Sequence, residues 1–110
     1  MTMREKVENI LGGFLERNKE YSVELYIDNA VANSRLGQVI ITADRTFNAD
    51  DEKLTLKWNI SDNINFNKFS LQYDEIIACY EEADEYNQQI VHVILRNGII
   101  IEFECVGMRA

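Results

Sequence analysis

The chain contains no proline and only five glycines in 110 residues. That composition argues against Pro/Gly-rich linkers and disordered tails. The length suits one domain rather than two. No apolar run approaches the ~20 residues a membrane-spanning helix needs. The opening MTMREKVENI lacks the apolar stretch of a secretory leader, so a cytoplasmic protein is expected. Two cysteines, Cys79 and Cys105, stand among apolar neighbours. In a reducing compartment they are expected to remain thiols and to pack as small hydrophobes. Glycine-rich phosphate loops are missing too: Gly12-Gly13 has no following Lys-Ser/Thr.

What is present is a core and a skewed charge. Apolar residues make up 46% of the chain, and the net charge is −8. Residues 1–20 are balanced, with four acids and four bases. Residues 74–104 hold eight acids against Arg96 alone, and DEIIACYEEADEY (74–86) packs in six of them. A field of this sign repels nucleic acid and anionic membranes and attracts basic protein surfaces. Neither direct nucleic-acid binding nor membrane binding is expected.

Periodicity orders the chain. Thr2 and Glu5 have the spacing of a capping box, and Met3, Val7, Ile10, Leu11, Phe14 and Leu15 form one apolar stripe, so a helix runs to about Asn18. Gly12 and Gly13 imply a bend or a close backbone approach within it. Tyr21, Val23, Leu25 and Ile27 then alternate with polar residues, as in a half-buried strand. Residues 29–37 form a connection with room for a helical turn, and a second strand runs from about Gln38 to Phe47. NADDEK (48–53) is a polar turn. Leu54, Leu56, Trp58 and Ile60 alternate as the clearest strand. SDN (61–63) signals another turn, and the phase change between Ile64/Phe66 and Phe69/Leu71 implies a bulge or bend. Segment 73–83 fits both a helix face and a strand face. A strand is preferred because the segment feeds a turn and a further strand.

Asn97-Gly98 between two β-rich runs marks a hairpin with a two-residue type I′ turn. That turn sets Arg96 against Ile99, Ile94 against Ile101, His92 against Phe103 and Ile90 against Cys105. Ile90, His92, Ile94, Ile101, Phe103 and Cys105 then form the core face. Val91, Val93, Leu95 and Ile100, with Glu102 and Glu104, form a partly covered face on which a homodimer could assemble. The expected architecture is α+β: an N-terminal helix on a curled, mostly antiparallel sheet of six to seven strands, or a partly closed barrel.

Several residues could carry chemistry. His92, the single histidine, is a conceivable general base, yet its alternation with isoleucines reads as a packed structural residue. Cys79, His92 and Cys105 could meet across strands, but zinc sites use four ligands with tight local spacing. Asp50, Asp51, Glu52, Asp84 and Glu85 lack the loop spacing of a calcium site. Lys57-Trp58 and Lys68-Phe69 pair cations with aromatics, as stacking platforms do, although both aromatics fall at core positions. No catalytic residue, metal or cofactor is assigned.

The acidic cluster remains. The turn at 82–88 and the hairpin place Glu81, Glu82, Asp84, Glu85, Glu102 and Glu104 at one end of the sheet, beside Tyr80 and Tyr86. An ordinary solvated surface would account for it, since acidic groups aid solubility. The functional alternative is a non-catalytic module whose carboxylates and tyrosines meet a basic partner. A small-ligand-binding domain or enzyme with a pocket near His92 is the other class. In size and charge alone, with no motif, the chain resembles small acidic phage and mobile-element proteins such as anti-CRISPR inhibitors and nucleic-acid mimics. That resemblance implies a partner's nucleic-acid-binding groove as the docking surface.

Overall fold

The computed structural model describes residues 1–59 and 66–109. The helix begins as its capping box dictates. Thr2 Oγ1 accepts from the Glu5 backbone N–H at 3.1 Å, and the Glu5 carboxylate accepts from the Thr2 N–H at 3.4 Å. Helix α1 (Met3–Val7) continues through a π-helical turn (Glu8–Gly12) into α2 (Gly13–Arg17). The wide turn falls where the glycines interrupt the stripe. A Cβ on Gly12 would stand 3.2 Å from the Phe47 ring, so the glycine allows the close approach. Val7, Leu11, Phe14 and Leu15 are buried.

Eight strands follow: β1 (Tyr21–Asn29), β2 (Ser34–Ile41), β3 (Arg45–Ala49), β4 (Lys53–Asn59), β5 (Phe66–Gln72), β6 (Ile76–Ala83), β7 (Gln89–Leu95) and β8 (Ile99–Arg109). All their pairings are antiparallel. They form two sheets, β2-β1-β8-β7-β6 and β3-β4-β5. The α+β class is as expected, with eight strands among the described residues in place of six or seven. The sheet does not close into a barrel, because the strand expected over Gln38–Phe47 breaks at 42–44 and its two halves join different sheets. At the break, Thr42 Oγ1 donates to the Asn59 carbonyl at 2.8 Å.

The expected connection at 29–37 is shorter than its sequence suggested. β1 extends to Asn29, whose side chain accepts from the Val31 and Ala32 N–H groups, and β2 starts at Ser34. Segment 73–83 is a short 3₁₀ turn (Tyr73–Glu75) leading into strand β6, as preferred. The expected turn at 61–63 and the role of Ile64 in the phase change lie outside the described residues.

The inner faces of both sheets and the helix share one core. Val23, Leu25, Ile41, Val91, Val93, Ile101 and Phe103 of the large sheet join Leu54, Leu56, Trp58 and Leu71 of the small one. Phe69 meets Phe103 edge-on, ring centroids 6.4 Å apart, where the sheets touch. The helix lies against β6 and β4 and so bridges the sheets. The two outer faces consequently point away from each other.

The hairpin register differs from expectation by one residue. His92 faces Glu102, Val91 faces Phe103, and Ile94 faces Ile100. The loop has three residues, 96–98. Gly98 alone in it takes a positive φ, at 85°, and its N–H donates to the Leu95 carbonyl at 3.2 Å. A type I′ turn needs positive φ at both central residues, and Asn97 instead uses its side chain to accept from the Ile99 N–H. A one-residue slip exchanges the faces of a strand. The observed register gathers Val91, Val93, Leu95, Ile101 and Phe103, all apolar, on the core side.

Two expectations fall with that slip. Ile90, His92 and Ile94 lie on the outer face, not in the core. Val91, Val93 and Leu95 are the core, buried at 0%, 0% and 7% exposure, and not a partly covered face. No helix among the described residues is long and apolar enough to cross a membrane.

Candidate functional site: the outer face of the large sheet

Pairing partners define the outer face row by row. One row reads Ile40, Glu24, Glu104, Ile90, Glu82, and the next reads Gln38, Tyr26, Glu102, His92, Tyr80. Asp28, Ile100, Ile94 and Ala78 make a third. Adjacent strands lie ~4.8 Å apart and alternate residues along a strand ~6.7 Å apart. Four glutamates therefore occupy a flat lattice interleaved with aromatic and isoleucine side chains.

The structure divides the expected partner-binding residues. Tyr80, Glu82, Glu102 and Glu104 share the outer face. Glu81 points the other way, where Arg17 of α2 donates to both its oxygens at 2.8 and 2.6 Å. Asp84 shapes the β6–β7 turn by accepting from the N–H groups of Tyr86 and Gln88 at 2.8 and 2.9 Å. Glu85 and Tyr86 are exposed at that turn's tip, off the face.

Glu24 and Tyr26 belong to the face but escaped the sequence reading. β1 alternation marks both as outward, yet only the pairing of β1 with β8 brings them beside Glu104 and Glu102. The Tyr26 hydroxyl donates to Glu24, and Gln38 donates to the other Glu24 oxygen at 2.9 Å. Burial first, then the Glu24 bond and the nearby Glu104 charge, push the Tyr26 hydroxyl well above the usual phenol range. Arg35 stacks over the Tyr26 ring at 4.1 Å while donating to Asp28 at 2.9 Å. It marks one end of the face.

His92 sits in the middle. Its ring stacks on Tyr80, centroids 4.9 Å apart. Its Nε2 lies 3.1 Å from Glu82 Oε1 but makes no hydrogen bond there. Glu102 is 3.9 Å from the other ring nitrogen. Five surface clefts of about 200 to 500 Å³ among the described residues have linings that do not include His92. The cleft of about 500 Å³, between Asp28, Arg35, Ile100 and Glu102, opens at the edge of the acidic face.

Electrostatics single out Glu104. Burial, and then the charges of Glu24, Glu102 and Asp84, raise its carboxyl above the usual range, with Arg35 opposing. Repulsion of this kind disfavours ionisation, so the face holds more negative charge than it can neutralise internally.

The thiol and metal candidates do not assemble. Cys79 is buried opposite Val93, His92 is on the other face, and Cys105 pairs with Val23. Among the described residues no group of three or more His, Cys, Asp or Glu is placed to hold a metal ion. Trp58 is buried and Phe69 packs on the core, leaving Lys57 and Lys68 outward without their aromatic neighbours. No protein-family model, curated protein or solved structure matches this chain.

Proposed function

We propose that this protein is a non-catalytic binding module whose acidic sheet face docks on a basic surface of a partner protein. The surface it fits is one that otherwise holds nucleic-acid phosphates. The observation that carries the reading is the crowding of Glu104 by Glu24, Glu102 and Asp84 on a sheet face that no other element among the described residues covers. A partner's Arg or Lys placed there would relieve the repulsion. Such complementarity speeds encounter and selects against acidic partners. Tyr26, Tyr80 and His92 add flat, amphipathic contact area of the type enriched at interfaces.

A labelled oligo-arginine peptide serves as the probe, titrated by fluorescence anisotropy. E82K/E102K/E104K should lose at least about tenfold in affinity while its circular dichroism stays native. E52K/D74K/E75K makes the same change in net charge at exposed sites away from the face. It should bind nearly as the parent does. Equal losses in the two triple variants would reduce the effect to net charge and sink the proposal.

A further inference from the structure

The outer face of the small sheet is the counterpart of the acidic one. Lys57 stands directly opposite Lys68 on β4 and β5, and Thr46 of β3 flanks Lys57. Lys53 lies on the same face of β4, and Thr46, Asn48, Thr55 and the lysines border a shallow cleft of about 200 Å³. Every side chain there is cationic or neutral. No carboxylate among the described residues pairs with Lys53, Lys57 or Lys68 within 4.0 Å. Like charges directly opposite on adjacent strands are destabilising. The molecule thus carries two such pairs of opposite sign, Lys57 with Lys68 and Glu24 with Glu104, on faces that point away from each other.

We infer that the lysine face of one copy docks on the acidic face of a second, so that the chain stacks head to tail. The inference rests on the acidic-face reading above and names one partner for it. Both charge pairs come from direct cross-strand neighbours, so their spacings match at about 5 Å, and each set supplies the counter-ions the other lacks. A contact between two different faces is heterologous and does not close on itself when the faces point oppositely. The assembly therefore extends by addition rather than ending at a dimer. Three strands ~4.8 Å apart and ~20 Å long give roughly 300 Å² per side, the size of a weak, transient interface. Screening by salt weakens it further. A basic partner competes for the same acidic face.

Sedimentation velocity across a concentration series tests this. At about 20 mM salt the mean mass should rise with concentration, and at about 500 mM it should return to the monomer. K57E/K68E alone should remain monomeric, and so should E82K/E104K alone, each with native circular dichroism. Their equimolar mixture should associate, because the intact acidic face of the first variant meets the intact lysine face of the second. A monomeric wild type at low salt, unaltered association of K57E/K68E, or a mixture that fails to associate would each overturn the inference. So would a monomeric wild type whose lysine face retains a single-stranded oligonucleotide, which would make the occupant a phosphate backbone. Binding of oligo-arginine to the acidic face would stand in any of these cases, so the two readings fail separately.

Discussion

Glu24 and Glu104 stand directly opposite each other on β1 and β8. The pair accounts for part of the raised Glu104 carboxyl, after burial, which contributes most. A carboxyl held above its ordinary value binds its proton more tightly in the folded chain than in the unfolded one. Its contribution is fully present below the unfolded value and is lost as pH rises through the folded one. Glu104 should therefore favour folding at acid pH, below its unfolded value, and oppose it at neutrality. Replacing it by Gln, which has nearly the same shape, should stabilise the neutral protein by about 0.5 kcal/mol, or roughly 2–4 °C. Thermal melts at about pH 4, just below the ordinary Glu value, and at neutral pH check this: the gain should shrink or vanish in acid. A larger gain in acid would contradict the assignment.

Gly98 fixes the hairpin that assigns His92 and Glu102 to the outer face. Its φ of 85° is unfavourable for other residues, and a Cβ there would meet Val31 at 3.2 Å. Gly98→Ala should destabilise by about 1–2 kcal/mol, measured by urea denaturation. Asn97→Ala should cost less, because Asn97 contributes one side-chain bond to the Ile99 N–H and no left-handed backbone. Equal costs would mean that the Asn-Gly pair acts together, as a two-residue turn requires.

Local chemistry was legible in the sequence where a few adjacent residues decide the outcome. Thr2 and Glu5 announce the helix start, and Leu54, Leu56 and Trp58 announce β4 by alternation. Non-local choices were not legible. Asn97-Gly98 permits both a two- and a three-residue loop, and the choice falls to which register buries Val91, Val93 and Phe103 together. The break at 42–44 depends on how β2 and β3 find separate sheets. Glu24 reaches Glu104 only through the pairing of the first strand with the last. The acidic face was accordingly half visible: Tyr80, Glu82, Glu102 and Glu104 were named, Glu24 and Tyr26 were not, and Glu81, grouped with them at one end of the sheet, points to the other side.

Arg45 joins elements that are distant in sequence. Its guanidinium donates to the carbonyls of Tyr21 (2.7 Å), Asn18 (2.8 Å), Leu15 (3.2 Å) and Thr42 (3.2 Å). Two of these are carbonyls at the end of α2, where a cation also suits the helix dipole. Burial lowers the guanidinium below its usual value. Arg45→Met keeps much of the apolar stem but leaves these acceptors unpaired, and should destabilise by about 2–4 kcal/mol. Arg45→Lys restores the charge without the planar fork and should recover only part of the loss. Full recovery in calorimetry would show that charge alone matters there.

The two thiols offer a direct check on the inner and outer faces of the large sheet. Cys79 lies in β6 against Val93, 5% exposed, and burial pushes its thiol up to about 11. Attack on a disulfide reagent requires the thiolate and access to it, and Cys79 has neither. Cys105, half-buried near the end of β8, is accessible. Ellman's reagent at pH 8 should therefore label about one thiol in the native protein and both in denaturant. Cys105→Ser should abolish the fast phase, whereas Cys79→Ser should leave it unchanged. Fast labelling of Cys79 in the folded protein would place β6 with its other face inward. Tyr80 and Glu82 would then move off the acidic surface, and the proposed docking face would lose one of its edges.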